Sequence, residues 1–275
     1  MSGRGVKRPA INPESSVGRY GSNRIMLNHT AMNEFSCCKQ AILEGMCMVK
    51  AVIFDIDGTL IDSVDAHAAS WSEAFRHFGF TVEKSAVRQK IGMGADFLLR
   101  DFLDSETIAR CGRDLESFRA ELFKTKYLSS VQGFPGVRAL FQHIRRQGQM
   151  IVLASSCKQE ELDPYLKIAG VGDLVDVATT SDDAERSKPC PDIFQAALER
   201  ISPIGPDEAV VVGDSPYDAQ AARKAKITAV GVLCGGFGEE QLRQAGCTAV
   251  YQDPADLLRN YQRSPLAREL FMTDA

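Results

Sequence analysis

The sequence predicts an α/β protein, a doubly wound parallel sheet core with an all-helical cap domain inserted after the first strand. Short apolar, strand-like runs at 49–54, 150–155, 174–179, 209–213 and 228–233 alternate with helical periodicity at 137–147, 159–169, 191–200, 218–226 and 239–245. Strand and helix alternating in this way argue for a parallel sheet covered on both faces. From 63 to about 132 the strand pattern lapses and successive helices are expected, with Trp71, Phe75 and Phe78 at the spacing of one helix face. That stripe reads as the insert's own core. Three of the runs lead into polar turns, at Asp55, Ser155 and Asp214. In open parallel sheets ligands sit beyond the carboxyl ends of the strands, so these distant residues are expected to share one pocket.

The domain organisation follows. Residues 48–62 and 133–275 are expected to form the core and 63–132 the cap. Residues 1–47, rich early on in Gly, Ser, Asn, Arg and Pro, read as an N-terminal tail, with Met48 a candidate translation start. A transit peptide is the functional alternative for this tail, but its amphipathicity is poor.

The chain has 275 residues, 44% of them hydrophobic and 25% charged, enough for one large core or two smaller ones. A formal net charge of -4 gives no global attraction for nucleic acid or an anionic membrane. The eight cysteines lack the paired spacing of a zinc site and the density of a disulfide scaffold, so reduced thiols in a cytoplasmic protein are expected. No apolar stretch reaches the roughly 18–20 residues that span a bilayer, and the N-terminus lacks the apolar core of a secretory signal. Neither a nucleic-acid nor a membrane partner is expected.

The most informative segment is V-I-F-D-I-D-G-T-L-I-D at 52–62. In an extended chain alternate side chains share a face, so Asp55 and Asp57 leave one strand end together, and Gly58 gives the freedom for a sharp exit. Two carboxylates this close repel, and holding both ionised calls for a cation or a shared proton. Hard oxygen ligands of this kind suit magnesium. The bland alternative is a surface turn, in which Asp and Gly are ordinary residues.

Further pieces follow in order: Ser155-Ser156 after the strand at 150–154, Ser187-Lys188-Pro189 in a loop, and Gly213-Asp214-Ser215-Pro216-Tyr217-Asp218 after the strand at 209–212. Together with the Asp55 turn, this ordered set resembles the haloacid dehalogenase superfamily of aspartate-nucleophile hydrolases over about 49–256. The helical insert directly after the first motif looks like the branch holding phosphoglycolate phosphatase and beta-phosphoglucomutase. The resemblance implies a Rossmann-like core and a Mg2+-dependent phosphatase acting on a small phosphorylated metabolite.

By the same resemblance Asp55 is the nucleophile that forms an aspartyl phosphate, and Asp57 the general acid and base. Ser155 would donate to a phosphoryl oxygen, while Lys188 would balance the charge gathering there and on Asp55. Taken alone, Ser155 also fits a helix cap and Lys188 a solvated loop lysine. Asp214 would join the Asp55 carboxylate and the Asp57 backbone carbonyl around the metal, with Asp218 supporting the metal shell or Lys188. An acid in a first helical turn is also favoured by the dipole, the simpler reading of Asp218.

Gly58 and Thr59 would shape the phosphate turn, with Ser156 beside it. His67, Gly92 and Gly94 are the candidates for touching substrate from the cap, although a lone helical histidine is more often structural and two glycines also serve simply to join helices. Lys158, Arg100, Lys124 and Lys126 read as solvated. The rival functions are a phosphomutase and a catalytically silent binding or regulatory protein. Some mutases of this branch carry Glu-Asp where this chain has Gly213-Asp214, and every catalytic position is intact, which counts against each in turn. A monomer or a homodimer is expected.

Overall fold

The computed structural model describes residues 46–267 and 269–271. The expected tail otherwise lies outside the described residues. Six parallel strands form the sheet: β2 (Ala51–Phe54), β3 (Met150–Ala154), β4 (Val177–Thr179), β5 (Ala209–Gly213), β6 (Thr228–Val232) and β7 (Cys247–Tyr251). Their spatial order is β4-β3-β2-β5-β6-β7. From β2 the chain runs outward through β3 and β4, then returns to the other side of β2 with β5. The strand order thus reverses at β2, the point where open α/β sheets bind ligands.

The strands read as continuous apolar runs because both faces are covered. Val52, Phe54, Ile151, Leu153, Val210 and Val212 join one core, and α5 (Val137–Arg146), α6 (Gln159–Ala169) and α10 (Pro254–Arg259) cover it. The alternate residues Ala51, Ile53, Val152, Ala154, Ala209 and Val211 belong to the opposite core, under α7 (Asp192–Arg200), α8 (Pro216–Lys224) and α9 (Glu239–Ala245). The period of two divides each strand between the two layers.

Between Ser63 and Val131 the regular elements are all helical, joined by turns and loops that include an isolated bridge between Ile91 and Met93. Its elements are α1 (Val64–His77), α2 (Lys84–Arg88), α3 (Ala95–Phe102) and a long helix from 105 to 130 that is regular over α4 (Arg113–Leu122). Two π-type stretches, Ile108–Gly112 and Phe123–Tyr127, flank α4. Trp71 and Phe75 are buried in a third core of this segment's own, with Phe78 packed against it. The two chain crossings lie side by side: Asp62 N–H donates to Gln132 O (2.8 Å) and Phe134 N–H to Leu60 O (2.9 Å).

Three features depart from the sequence-based expectation. The edge strand β7 was not anticipated, because C-T-A-V-Y is short and partly exposed and gives little apolar contrast. Residues 174–176 precede β4 instead of extending it. Pairing also begins earlier than Met48: β1 (Met46–Met48) runs antiparallel to β8 (Glu269–Phe271), a partner some 220 residues away that no local pattern reveals. No helix among the described residues is long and apolar enough to cross a membrane.

Phe141 on α5 is fully buried, its ring 4.7 Å from that of Phe54 at the end of β2. Truncation there leaves a cavity directly beneath the Asp55 turn. Phe141→Ala is expected to cost about 3–5 kcal/mol, read as a lower denaturation midpoint in urea.

Candidate active site

The Asp55 turn is built by the end of β2. Asp55 N–H still donates to Val212 O (3.0 Å), extending the ladder one residue, and the chain then folds on itself as the N–H groups of Thr59, Leu60 and Ile61 converge on Ile56 O. Gly58 adopts φ 84°, and a Cβ there would stand 2.6 Å from Asp214 Cγ. Glycine is therefore required both for the backbone conformation and for the close approach of Asp214.

Strand ends β2 and β5, with the loop after β4, bring three carboxylates and one ammonium together. Lys188 Nζ donates to Asp55 Oδ1 (2.6 Å) and to Ala154 O (2.9 Å), and pairs with Asp218 Oδ1 (2.8 Å). Lys188 is 1% exposed. Burial works against its charge, but Asp218 and Asp55 override burial and hold it protonated, above the ordinary lysine range. Thr59 Oγ1 lies 3.2 Å from Asp55 Oδ2 and 3.3 Å from Asp214 Oδ1, so its hydroxyl is shared between carboxylates. Asp218 also accepts from Ser215 Oγ (2.6 Å) and from Ser215 N–H (3.2 Å), the second bond closing a capping box at the start of α8.

This cluster is short of positive charge. Burial, opposed by Lys188 and reinforced by Asp218 and Asp57, pushes the Asp55 carboxyl up to about 7. Burial, with Asp218 and Asp55 adding repulsion, raises Asp214 well above the carboxylate range. One oxygen from each of Asp55, Asp214 and Asp218 lies within 4.8 Å of the others. Buried, closely spaced hard oxygens with unbalanced charge fit a small divalent cation.

Asp57 has a different environment. Its Oδ1 accepts from Ser63 Oγ (2.6 Å) and faces His67 Nε2 at 2.8 Å. Burial would raise its carboxyl, but His67, then Ser63 and Arg119, hold it below the usual range. The Arg119 guanidinium faces His67 Nδ1; a guanidinium only donates, so Nδ1 accepts and Nε2 carries the hydrogen directed at Asp57. The imidazole is stacked on Phe123 at 4.0 Å. Asp55 and Asp57, two residues apart, are thus driven in opposite directions.

A cavity of about 280 Å³ opens over both acids. His67, Gly92, Gly94 and Ser156 all line it. The nitrogens of His67 are taken by Asp57 and Arg119, so its direct partner is the acid. Ser155 is fully buried and its Oγ accepts from Cys157 N–H (3.1 Å), a local turn and not the helix cap weighed from the sequence, since the N-cap of α6 is Lys158; Ser156, next along, reaches the wall. A Cβ on Gly94 would stand 2.0 Å from Ser187 Oγ, which is how the loop before α3 seats against the loop carrying Lys188. Tyr217 Oη donates to Gln89 O (2.7 Å) and Arg88 to Gly235 O (3.1 Å), further ties between the helical segment and the sheet.

Sequence reasoning missed Gly235, Arg119 and Tyr165. A Cβ on Gly235 would stand 1.7 Å from Asp214 Oδ2; the Gly-Gly pair after β6 was the available signal. Arg119 and Tyr165 look in sequence like ordinary helical residues. Lys158, expected to be solvated, has an exposed side chain but also borders the cavity.

An acid whose folded pKa is raised binds its proton more tightly when folded. The associated stability is present below the unfolded value near 3.8 and lost as pH rises through about 7. In chelator, the melting temperature of the wild-type protein is expected to fall across this window, and Asp55→Asn to flatten the fall in part. Thermal melts over the pH series measure both.

The profile of the haloacid dehalogenase-like hydrolase family matches residues 52–232. The validoxylamine A 7'-phosphate phosphatase of Streptomyces hygroscopicus subsp. limoneus is 28% identical over 188 residues, 67% of this chain and 86% of that protein. A phosphoglycolate phosphatase of Rhodospirillum rubrum is 27% identical over 223 residues, 76% of this chain and 90% of that protein. A solved hydrolase from Pseudomonas syringae superposes with a TM-score of 0.70 at 30% identity, covering 78% of this chain and 98% of its own. With acids, lysine and sheet arranged as above, the chain belongs to the haloacid dehalogenase-like hydrolases.

Proposed function

We propose that the protein is a Mg2+-dependent phosphatase that hydrolyses a small phosphate monoester, of the phosphoglycolate or sugar phosphate type, through an aspartyl-phosphate intermediate. The observation that carries this reading is the buried Lys188 ammonium, 2.6 Å from Asp55 Oδ1, with Asp57 two residues on held apart by its own hydrogen bonds.

Asp55 is the nucleophile. One carboxylate oxygen attacks phosphorus as the bond to the leaving alkoxide breaks, and Lys188 offsets charge on the carboxylate and the phosphoryl oxygens. The negative charge of the bound ester beside Asp57 favours its protonated form, the proton being taken up on binding; Asp57 then delivers that proton to the alkoxide and afterwards takes one from the water that hydrolyses the acyl phosphate. Ser63 and His67 fix the direction of its carboxylate for both transfers. Ser155 and Ser156 are assigned to the phosphoryl oxygens, while Gly58 and Thr59, whose amides are spent on Ile61 O and Ile56 O, shape the turn that presents Asp55. The Asp55 and Asp214 carboxylates and the Asp57 backbone carbonyl would hold the magnesium, with Asp218 supporting Lys188. The ion would supply charge neutralisation at the phosphoryl group and orientation of the ester.

Residues 63–132 are proposed to act as a cap over a core of 48–62 and 133–275, closing water out during transfer. Gly213 stands where some mutases of this branch carry Glu, which favours hydrolysis over a mutase; here a Cβ would meet the Asp218 side chain at 2.5 Å.

Phosphate release from a panel of small monoesters is expected with Mg2+ and without any bisphosphate activator, and is expected to stop in chelator. Asp55→Asn should lower kcat by about 10³-fold or more while the fold persists, as a nucleophile knockout does. A binding role indifferent to Asp55→Asn would overturn the proposal. Gly235→Ala, which displaces Asp214, is expected to cost about 100-fold in kcat, the scale of a 1 Å misplacement, measured in the same assay.

A further inference from the structure

The backbone beside Asp214 is held from outside the sheet. The Gly235-Gly236 pair after β6 lies directly against this acid, a Cβ on Gly235 standing 1.7 Å from Asp214 Oδ2. On the other side of the same pair is Arg88, the last residue of α2. Its Nη2 donates to Gly235 O (3.1 Å), and its guanidinium occupies the space that a Cβ on Gly236 would enter, at a backbone φ of 95°. Two glycines are thus pressed between a guanidinium of the helical segment and a carboxylate of the core, and neither close approach would survive a side chain there.

The residues after Arg88 extend the contact. Gln89 O accepts from Tyr217 Oη (2.7 Å), three positions after Asp214, and a Cβ on Gly92 would stand 2.7 Å from Ser215 Oγ. One stretch of the helical segment, 88–92, therefore seats on both shoulders of Asp214, the loop after β6 and the start of α8. Arg88 is itself oriented by Asp65 on α1, whose Oδ1 accepts from Arg88 Nε (3.2 Å) and pairs with Lys84 (3.2 Å). Asp65 is exposed, so these ion pairs contribute little on their own. The bond with a consequence is the one to Gly235 O, because that carbonyl belongs to the backbone on which the Asp214 carboxylate rests.

We infer that Arg88 is a positioning residue for the divalent cation: by fixing the Gly235 loop it fixes the Asp214 carboxylate, so that seating of the helical segment and binding of Mg2+ in the core favour one another. This rests on the Mg2+ reading of the acidic cluster and deepens it. A guanidinium has only donors and cannot ligate a cation, so the link runs through the glycine backbone. Charge and position then predict opposite signs. As a positive charge near the site Arg88 repels a cation, and its removal would tighten Mg2+ binding; as the support of a ligand its removal weakens binding. The coupling is reciprocal, since whatever the seated segment adds to Mg2+ affinity, Mg2+ adds to the seating.

Thermal melts of the full chain titrated with MgCl2, without substrate, make the test, because a ligand that binds only the folded state raises the melting temperature by mass action. Arg88→Ala is expected to weaken Mg2+ binding about tenfold, the scale on which partners that orient a metal ligand act. A cooperative melt in chelator checks that the variant folds. Lys90→Ala removes a pair within the same segment, Lys90 Nζ to Asp101 at 2.6 Å, and is expected to leave Mg2+ binding unchanged. Wild-type affinity or tighter binding in Arg88→Ala, or equal weakening in Lys90→Ala, overturns the inference while the Mg2+ response of the wild-type protein keeps the metal reading. A wild-type protein that Mg2+ does not stabilise defeats both.

Discussion

Lys188 is the constraint on which the site depends. A fully buried ammonium is tolerated only with close anionic partners, and here the Asp55 and Asp218 carboxylates and the Ala154 carbonyl surround it. One cation serves three buried acids, Asp55, Asp214 and Asp218. Burial, with the residual negative charge adding to it, raises Asp55 and Asp214, and the unbalanced charge makes the cluster suited to a further cation. A surface pair would impose none of this, because solvent would screen it.

The sheet gives that cluster its precision. β2 hydrogen-bonds to β3 on one side and β5 on the other, with Phe54 level with both Leu153 and Val212. The carboxyl ends of the three strands therefore finish together, and the turns after them begin at a common height. Two apolar layers cover the sheet, so the strands have little freedom to shift register without moving side chains from one layer to the other. The close approaches at Gly58 and Gly235 then leave Asp214 almost no room to move.

Asp57 shows how two acids two residues apart acquire different characters. Asp55 faces a lysine and two carboxylates at the sheet, whereas Asp57 faces a serine and a histidine from the first turns of α1. Arg119, from α4, fixes which imidazole nitrogen carries the hydrogen. The helical segment thus takes part in the electrostatics of the core turn as well as bordering the cavity. That segment also supplies Asp96, Glu116 and Arg119 to the cavity wall, so the character of the leaving-group side is set largely outside the sheet.

Much of this was legible from residues alone. Alternating periodicity gave away the layered sheet, and the D-x-D-G-T turn, Ser155 and Asp214 stood where strand ends were expected, with Lys188 in a loop between them. Local chemistry sufficed there, because strand period, turn preference and the repulsion of paired acids are properties of short segments. Contacts between distant segments were not legible. The pairing of β1 with β8, the Arg119–His67–Asp57 chain and the approach of Gly235 to Asp214 each join residues that lie on separate elements of the chain. Sequence alone determined which groups are available for chemistry. Only the tertiary structure decided which of them share a dielectric environment, and therefore which carry charge, because burial and neighbours, not residue type, set the energy of an ionised group.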